Sequence, residues 1–379
     1  MKSKKKRDAL ADQEKERLLN PEKLKEKKKK KIRKIALMVL VEVAVVTVMV
    51  CMLFQIVRAV GRNNLLSKAQ PAPELTPVIA SEPLSKEEEE KWQQGWVKYK
   101  EKVYAYNEDI MTFLVMGIDK NSDVKEMKEG TDGGQADALF LAVMNPHDKS
   151  IKVIGINRNT MTDIDVYNEE GAYVNTITAQ IAVQHGFGNG VEESCEYQKK
   201  AVQKLFYNLP IHGYAAVNMS AIPAVNDAVG GVDVTVLEDL TSKDKSLKEG
   251  ERVHLEGESA YWYVKYRDTS IFASADLRLA RQKQYLTAFI DEAKHAVKNN
   301  LSVALELYQN ISPQMVTDVS LDEVSYLAPI IVDYSFGSDS FRMLEGETIM
   351  GEEFEEFWAD EEALYELIID VFYEEVSAD

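Results

Sequence analysis

Twenty-three consecutive residues, Ile35 to Val57, read IALMVLVEVAVVTVMVCMLFQIV and contain a single charge, Glu42. At 1.5 Å of rise per residue such a run makes a helix of roughly 34 Å, enough to span a bilayer core. A cleaved signal peptide would have a shorter apolar stretch followed by small residues at a cut site, so the run predicts an uncleaved membrane anchor. Immediately before it stands KEKKKKKIRK, and residues 1–34 hold 16 Lys/Arg against 6 Asp/Glu. Only Arg58 and Arg62 follow closely. This asymmetry places the basic tail, 1–34, in the cytoplasm, the helix 35–57 across the membrane, and the rest outside the cell as a single-pass protein.

Charge then limits what the outer part does. The whole chain is at −18 despite its basic start, so the 345 residues after the tail carry 29 Lys/Arg against 57 Asp/Glu. A body of that sign excludes nucleic acid as its partner. The two cysteines, Cys51 inside the apolar run and Cys195 beyond it, offer no disulfide framework and no zinc module. The five histidines are scattered, and neither HExxH nor GxSxG occurs, so zinc-protease and serine-hydrolase chemistry lack their marks.

Residues 58–84 include Pro71, Pro73, Pro77 and Pro83 and read as a semi-extended spacer. Ser85 with Glu88 resembles a capping box, and Trp92, Trp96, Tyr99 and Val103 follow at helical spacing, which predicts an amphipathic helix over 85–108. From 109 to 299 short apolar runs alternate with helical patterns: strands at 110–119, 137–145, 150–157, 213–219 and 230–236, and helices at 176–186, 192–209, 220–229, 257–267 and from 276. That alternation predicts a layered α/β domain. Residues 300–379 read as an acidic helical segment.

The polar residues of interest stand at the ends of the apolar runs, where α/β sheets place functional groups. Asp119 closes FLVMGI, Asp137 opens ALFLAVM, and Arg158 follows VIGIN. Downstream lie Arg267 in YRD and then Arg278, Arg281, Gln282 and Tyr285, spaced to share one helix face beside a Leu279–Leu286–Ile290 stripe. Two carboxylates with several arginines suit a diphosphate: Mg²⁺ takes one or two carboxylates plus phosphate oxygens, and guanidinium forks take the remaining oxygens. Ordinary strand-end acids in surface ion pairs would look the same, and the residues alone leave both open.

The strings FLVMGID, QADALFLAVMNP, KVIGINRNT, LPIHGYAAVNMSAIPAVNDAVGGVDVTV, HLEGESAYWYVKYRD and DLRLARQ occur in one order over about half the chain. In that combination the chain resembles the LytR-CpsA-Psr (LCP) family of cell-envelope phosphotransferases. The resemblance implies an α-β-α sandwich that moves a glycopolymer, such as teichoic acid or capsule, from a polyprenyl-diphosphate carrier to a peptidoglycan acceptor, with diphosphate hydrolysis as a side activity. It also implies Mg²⁺ on Asp119 and Asp137, and a diphosphate held by Arg158, Arg267, Arg278, Arg281 and Gln282. Of these, Asp119, Asp137, Arg158, Arg278 and Arg281 carry the catalytic roles, and an apolar tunnel takes the lipid. The chain departs from the family at three places: Gln135 and Asn121 stand where arginines are usual, and Asn159 replaces the Asp after Arg158. Fewer cations leave a second reading, a non-catalytic lipid-glycan receptor or envelope scaffold.

Overall fold

The computed structural model describes residues 21–68, 72–73, 75, 85–127, 133–300 and 302–376. The chain divides into two compact units, residues 1–59 and 60–379. Helix α1 runs Pro21–Ser67, so the expected spacer is helical from 58 to 67. The tail before residue 21 and most of 69–84 lie outside the described residues, as do the side chains of 35–46 within the expected anchor. Among the described residues no helix is long and apolar enough to cross a membrane.

Within the second unit the end of α1 is tied down. Leu65 is completely buried, and Lys68 Nζ lies 3.0 Å from the buried Glu323 carboxylate. Gly61 permits the approach: a Cβ there would stand 2.1 Å from the Asp322 carbonyl oxygen.

The helix expected over 85–108 is a correction. Helix α2 covers only Lys86–Lys91, and the chain then forms strands β1 (Trp96–Tyr99) and β2 (Lys102–Tyr106) in an antiparallel hairpin. Lys100 and Glu101 at its tip both take positive φ (49° and 63°), the two-residue turn whose twist suits paired strands. WVKYKEKVYAY fits a period of two as well as a helical one, and the turn selects the strands.

Strands β3 (Met111–Ile118), β4 (Ala136–Asn145) and β5 (Ser150–Ile156) follow as the sequence predicts. A helix was expected over 176–186. Instead β6 (Met161–Tyr167) and β7 (Tyr173–Gln180) pair as an exposed hairpin that ends in a 3₁₀ turn, Ile181–Phe187. Thr176, Ile177 and Thr178 are β-branched, which favours the strand. Helix α3 (Glu192–Leu205), β8 (Gly213–Asn218), α4 (Ile222–Ala228), β9 (Val232–Thr235), β10 (Arg252–Leu255), α5 (Glu258–Lys265) and α6 (Ser274–Asn299) complete the central region.

The C-terminal part is also not the helical appendage expected. Helix α7 (Ser302–Ile311) leads to β11 (Met315–Thr317) and α8 (Leu321–Ile331). Strand β12 (Phe341–Met343), the hairpin β13 (Gly346–Met350) and β14 (Glu355–Ala359), α9 (Glu361–Phe372) and β15 (Tyr373–Glu375) follow. Strands β11 and β12 are the two edges of the six-stranded main sheet, ordered β11-β8-β3-β4-β5-β12, and β15 pairs with β2. The domain boundary at 299 therefore dissolves. Three-residue strands are too short to show a period in sequence.

The main sheet mixes parallel (β3–β8, β5–β12) and antiparallel (β3–β4, β4–β5, β8–β11) pairs. Its strands are apolar nearly throughout because both faces are covered. On one face Leu114, Met116, Leu139, Leu141 and Ile154 pack with α3 and α9 through Val202, Ile368 and Phe372. On the other, Met111, Phe140, Met144 and Val153 pack with Leu279 of α6 and Leu327 of α8. This is the layered α/β architecture, and it brings the ends of β3, β4 and β5 beside the start of α6.

Candidate active site

Strand pairing brings Asp119 and Asp137 to the same end of the β3–β4 pair. The Asp119 amide donates to the Gln135 carbonyl at 3.0 Å, just past the point where the β3–β4 register shifts at Gly117/Ile118. Their surroundings differ. Asp137 is nearly enclosed and grips two arginines: Arg158 Nε lies 3.1 Å from its Oδ1, and Arg278 Nη1 lies 2.9 Å from its Oδ2. Arg278 Nη2 also donates to the Asp137 backbone carbonyl at 3.1 Å. Asp119 is 49% exposed and faces Lys265 Nζ at 3.3 Å.

The remaining charges share this field. Burial pulls the Arg158 guanidinium below its ordinary value; Asp137 and Asp119 oppose that, while Arg278 and Arg267 add to it. Its Nη2 donates to Gln135 Oε1, so the position that lacks the family's arginine supplies an acceptor instead. Arg267 Nε donates to Ser274 Oγ at 3.0 Å, and its Nη2 lies 3.2 Å from Glu355. The structure thus brings Asp119, Asp137, Arg158, Arg267 and Arg278 together.

It does not bring Arg281 and Gln282 to them. Arg281 is 1% exposed. It donates to the carbonyls of Tyr263 and Tyr266 and pairs with Glu238, while Gln282 Nε2 donates to the Val264 carbonyl at 3.1 Å. These two residues cap the last turn of α5, whose terminal carbonyls lack helical partners and favour a cation. As placed, these two side chains face the α5 carbonyls and not the Asp137 cluster, and they hold the segment from which Lys265 and Arg267 project.

Lys265 escaped the sequence reading, although it stands two residues before Arg267. Burial opposes its charge, but bonds to Tyr261 and Asp119 outweigh that and hold its pKa above the usual lysine value. Its Nζ lies 2.7 Å from Tyr261 Oη and 2.9 Å from Asn121 Oδ1. A cation therefore sits against Asn121, a second place where an arginine was expected. Glu355 also escaped notice, because nothing local in EEFEEFW singles it out.

Farther along α6, the Leu279–Leu286–Ile290 stripe leads to a cavity of about 410 Å³. It lies between the sheet (Phe113, Ala142, Val153) and helices α6 and α8 (Ile290, Val297, Leu327). Ile290 is about 18 Å along the helix from Arg278. A charged end and an apolar end are thus joined by one rigid element.

The LytR_cpsA_psr family profile matches residues 79–351 of this arrangement. The chain belongs to the LytR_cpsA_psr family. Among its relatives, the polyisoprenyl-teichoic acid–peptidoglycan teichoic acid transferase TagU of Enterococcus faecalis is 25% identical over 256 residues, 66% of this chain and 75% of that protein. TagU of Bacillus cereus is 28% identical over 225 residues, 59% of this chain and 65% of that protein. Solved structures with the same fold include TagV of B. subtilis (TM-score 0.53, 23% identity, 69% of this chain and 95% of that one). The structure described as TagT bound to LI-WTA is similar as well (TM-score 0.52, 23% identity, 69% and 89%). Every site residue expected from the LytR_cpsA_psr resemblance falls inside the matched span; Glu355 lies four residues beyond it.

Two carboxylates at neighbouring strand ends are the donor type a hard divalent cation shares with phosphate. Among the described residues no group of three or more His, Cys, Asp and Glu side chains is placed to hold a metal by itself. Asp137 is taken up by two guanidinium groups and Asp119 by Lys265.

Proposed function

We propose that the protein transfers a glycopolymer from a polyprenyl-diphosphate carrier to peptidoglycan, as its relatives' names describe for teichoic acid. The observation that carries this reading is helix α6, with Arg278 on Asp137 at its start and Ile290 in the apolar cavity about 18 Å on. A lipid diphosphate has the same two ends. Arg158, Arg267, Arg278 and Lys265 surround the diphosphate, and the prenyl tail enters the cavity. Asp119 and Asp137 are the residues that would hold a Mg²⁺ ion, which would supply further positive charge to the phosphate oxygens.

The reaction forms a bond between an acceptor hydroxyl oxygen and the phosphorus that bears the sugar. The bridging P–O bond breaks and prenyl monophosphate leaves with the electron pair. Negative charge grows on the departing oxygen, where preorganised cations contribute most. Asp119, half exposed, is the more open of the two carboxylates and has room to receive the hydroxyl proton when it is not ligating the ion. Water in place of the sugar hydroxyl gives diphosphate hydrolysis as a side activity. Ile35–Val57 anchors the chain in the cell membrane with the basic tail inside, so the site faces the outer surface where peptidoglycan lies.

The test is transfer from a short-chain prenyl-diphosphate glycan to peptidoglycan fragments, with Mg²⁺ and with chelator, on wild type and Asp137→Ala. Transfer by wild type that is lost in the variant is the expected result. Wild-type inactivity with every acceptor, while lipid still binds, selects the receptor reading. For topology, a C-terminal reporter active only outside the cytoplasm should be active, and a cytoplasm-dependent one silent.

A further inference from the structure

Glu355 is the one carboxylate that the C-terminal hairpin brings to the arginines. It is 8% exposed, and each part of it is used. Its Oε2 lies 3.2 Å from Arg267 Nη2 and accepts from Asn159 Nδ2 at 3.4 Å. Its Oε1 accepts from the Ala273 amide at 2.9 Å, and its backbone carbonyl accepts from Gln180 Nε2 at 2.7 Å. Gln180 Nε2 also donates to Asn159 Oδ1 at 3.1 Å, which orients the Asn159 amide with its donor toward Glu355.

Two of these partners frame the site. Arg267 is one of the four cations around the diphosphate position. Ala273, at φ +57°, is the left-handed residue from which α6 starts, and a non-glycine residue holds that conformation only where its surroundings fix it. Arg278 lies five residues on. A single carboxylate therefore pins the segment from Arg267 to Ala273, where the helix carrying Arg278 begins, at both of its ends. Position 159, where an Asp was expected, is an amide. An Asp there would face Glu355 at 3.4 Å, two buried like charges that repel.

We propose that Glu355 is a positioning residue for the diphosphate-binding arginines, and that the carboxylate missing at Asn159 is supplied from β14. This deepens the transfer reading and rests on it for its kinetic part. Glu355 touches no substrate; it acts by holding Arg267 and the start of α6 in place before the diphosphate arrives, which reduces the cost of ordering them on binding.

The test compares wild type, Glu355→Gln, Asn159→Asp and the exchange Asn159→Asp/Glu355→Gln. Glu355→Gln should raise KM for the prenyl-diphosphate glycan about tenfold with a smaller change in kcat. Asn159→Asp should be impaired as well, and the exchange should recover most of the loss. A readout without substrate is the rate at which phenylglyoxal labels Arg267, followed by peptide mass spectrometry on protein whose folding is checked by thermal melting. Labelling should be several-fold faster in Glu355→Gln and slow again in the exchange. Equal labelling in wild type and Glu355→Gln, or an exchange variant no better than the single ones, overturns the proposal. Wild type that neither binds nor turns over the lipid would overturn the transfer reading instead, and the labelling rates would still decide the role of Glu355.

Discussion

Arg278 holds Asp137 twice, by the carboxylate at 2.9 Å and by the backbone carbonyl at 3.1 Å. The first bond neutralises charge, and the second fixes where the guanidinium sits relative to strand β4. Arg281, one turn along the same helix, is turned into the body of the protein and closes the end of α5. Two arginines that look equivalent in RLARQ therefore do different work, and their variants should fail differently.

Arg278→Ala removes a charge-assisted fork from the diphosphate position. Such bonds contribute about 1.5–3 kcal/mol, so turnover should fall roughly ten- to a hundredfold; Asp137 keeps Arg158 as a partner, and the loss of stability should be smaller than the loss of rate. Arg278→Lys keeps the charge but loses the two-pronged grip on Asp137, and should recover only part of the rate. Steady-state kinetics with thermal melts checks this. A rate within twofold of wild type for Arg278→Ala would remove it from the site.

Arg281→Ala should act on stability first. It strands the Tyr263 and Tyr266 carbonyls at the end of α5, and a buried acceptor left without its donor costs about 1–3 kcal/mol; Glu238, 28% exposed, can turn to water. Urea unfolding should show that loss as a lower midpoint. Catalytic constants of the protein that remains folded should change less than in Arg278→Ala. The reverse ranking would mean that Arg281 reaches the substrate after all.

The cavity makes a prediction about chain length. Ala142 lies on β4 at its sheet side, and Ala142→Phe fills space that a prenyl tail needs. Overpacking costs about 1–3 kcal/mol at most sites, and the empty volume here should soften it. KM for a long-chain prenyl substrate should rise strongly, and KM for a two-isoprene substrate should hardly move. Equal effects on both would place the tail elsewhere.

Acid should weaken the fold through two neutral histidines. His212 accepts from the Thr112 amide at Nδ1 (3.1 Å), and burial, with a smaller effect from Lys68, pulls its pKa down to about 4. Burial pulls His185 down to about 4 as well. With unfolded values near 6.5, the unfolded chain binds more protons between those limits. The stability is complete above about pH 6.5 and is lost as the pH falls through about 4, on the order of 3 kcal/mol per histidine. His212→Asn, which keeps an acceptor near the Thr112 amide without titrating, should flatten the melting profile between pH 7 and 4.5. An unchanged profile would exclude His212 as a source of acid sensitivity.

The sequence by itself determined the parts whose physics is local. Apolar runs ended by Asp119 and Arg158 specify strand ends, the 176–186 segment excepted, and the 3.6-residue spacing from Leu279 to Ile290 specifies an amphipathic helix. The motif order then assigns the family. The tertiary structure decided which charges meet. Arg281 and Arg278 have the same local pattern, and only the packing of α5 sends one to backbone carbonyls and the other to Asp137. The strands β11 and β12 are short enough that pairing partners far along the chain, β8 and β5, rather than their own residues, select their conformation. Glu355 reaches Arg267 from 88 residues away in sequence, because β14 lies beside Asn159 and Thr160. A contact made that way depends on the register of two distant segments, and local sequence carries no record of it.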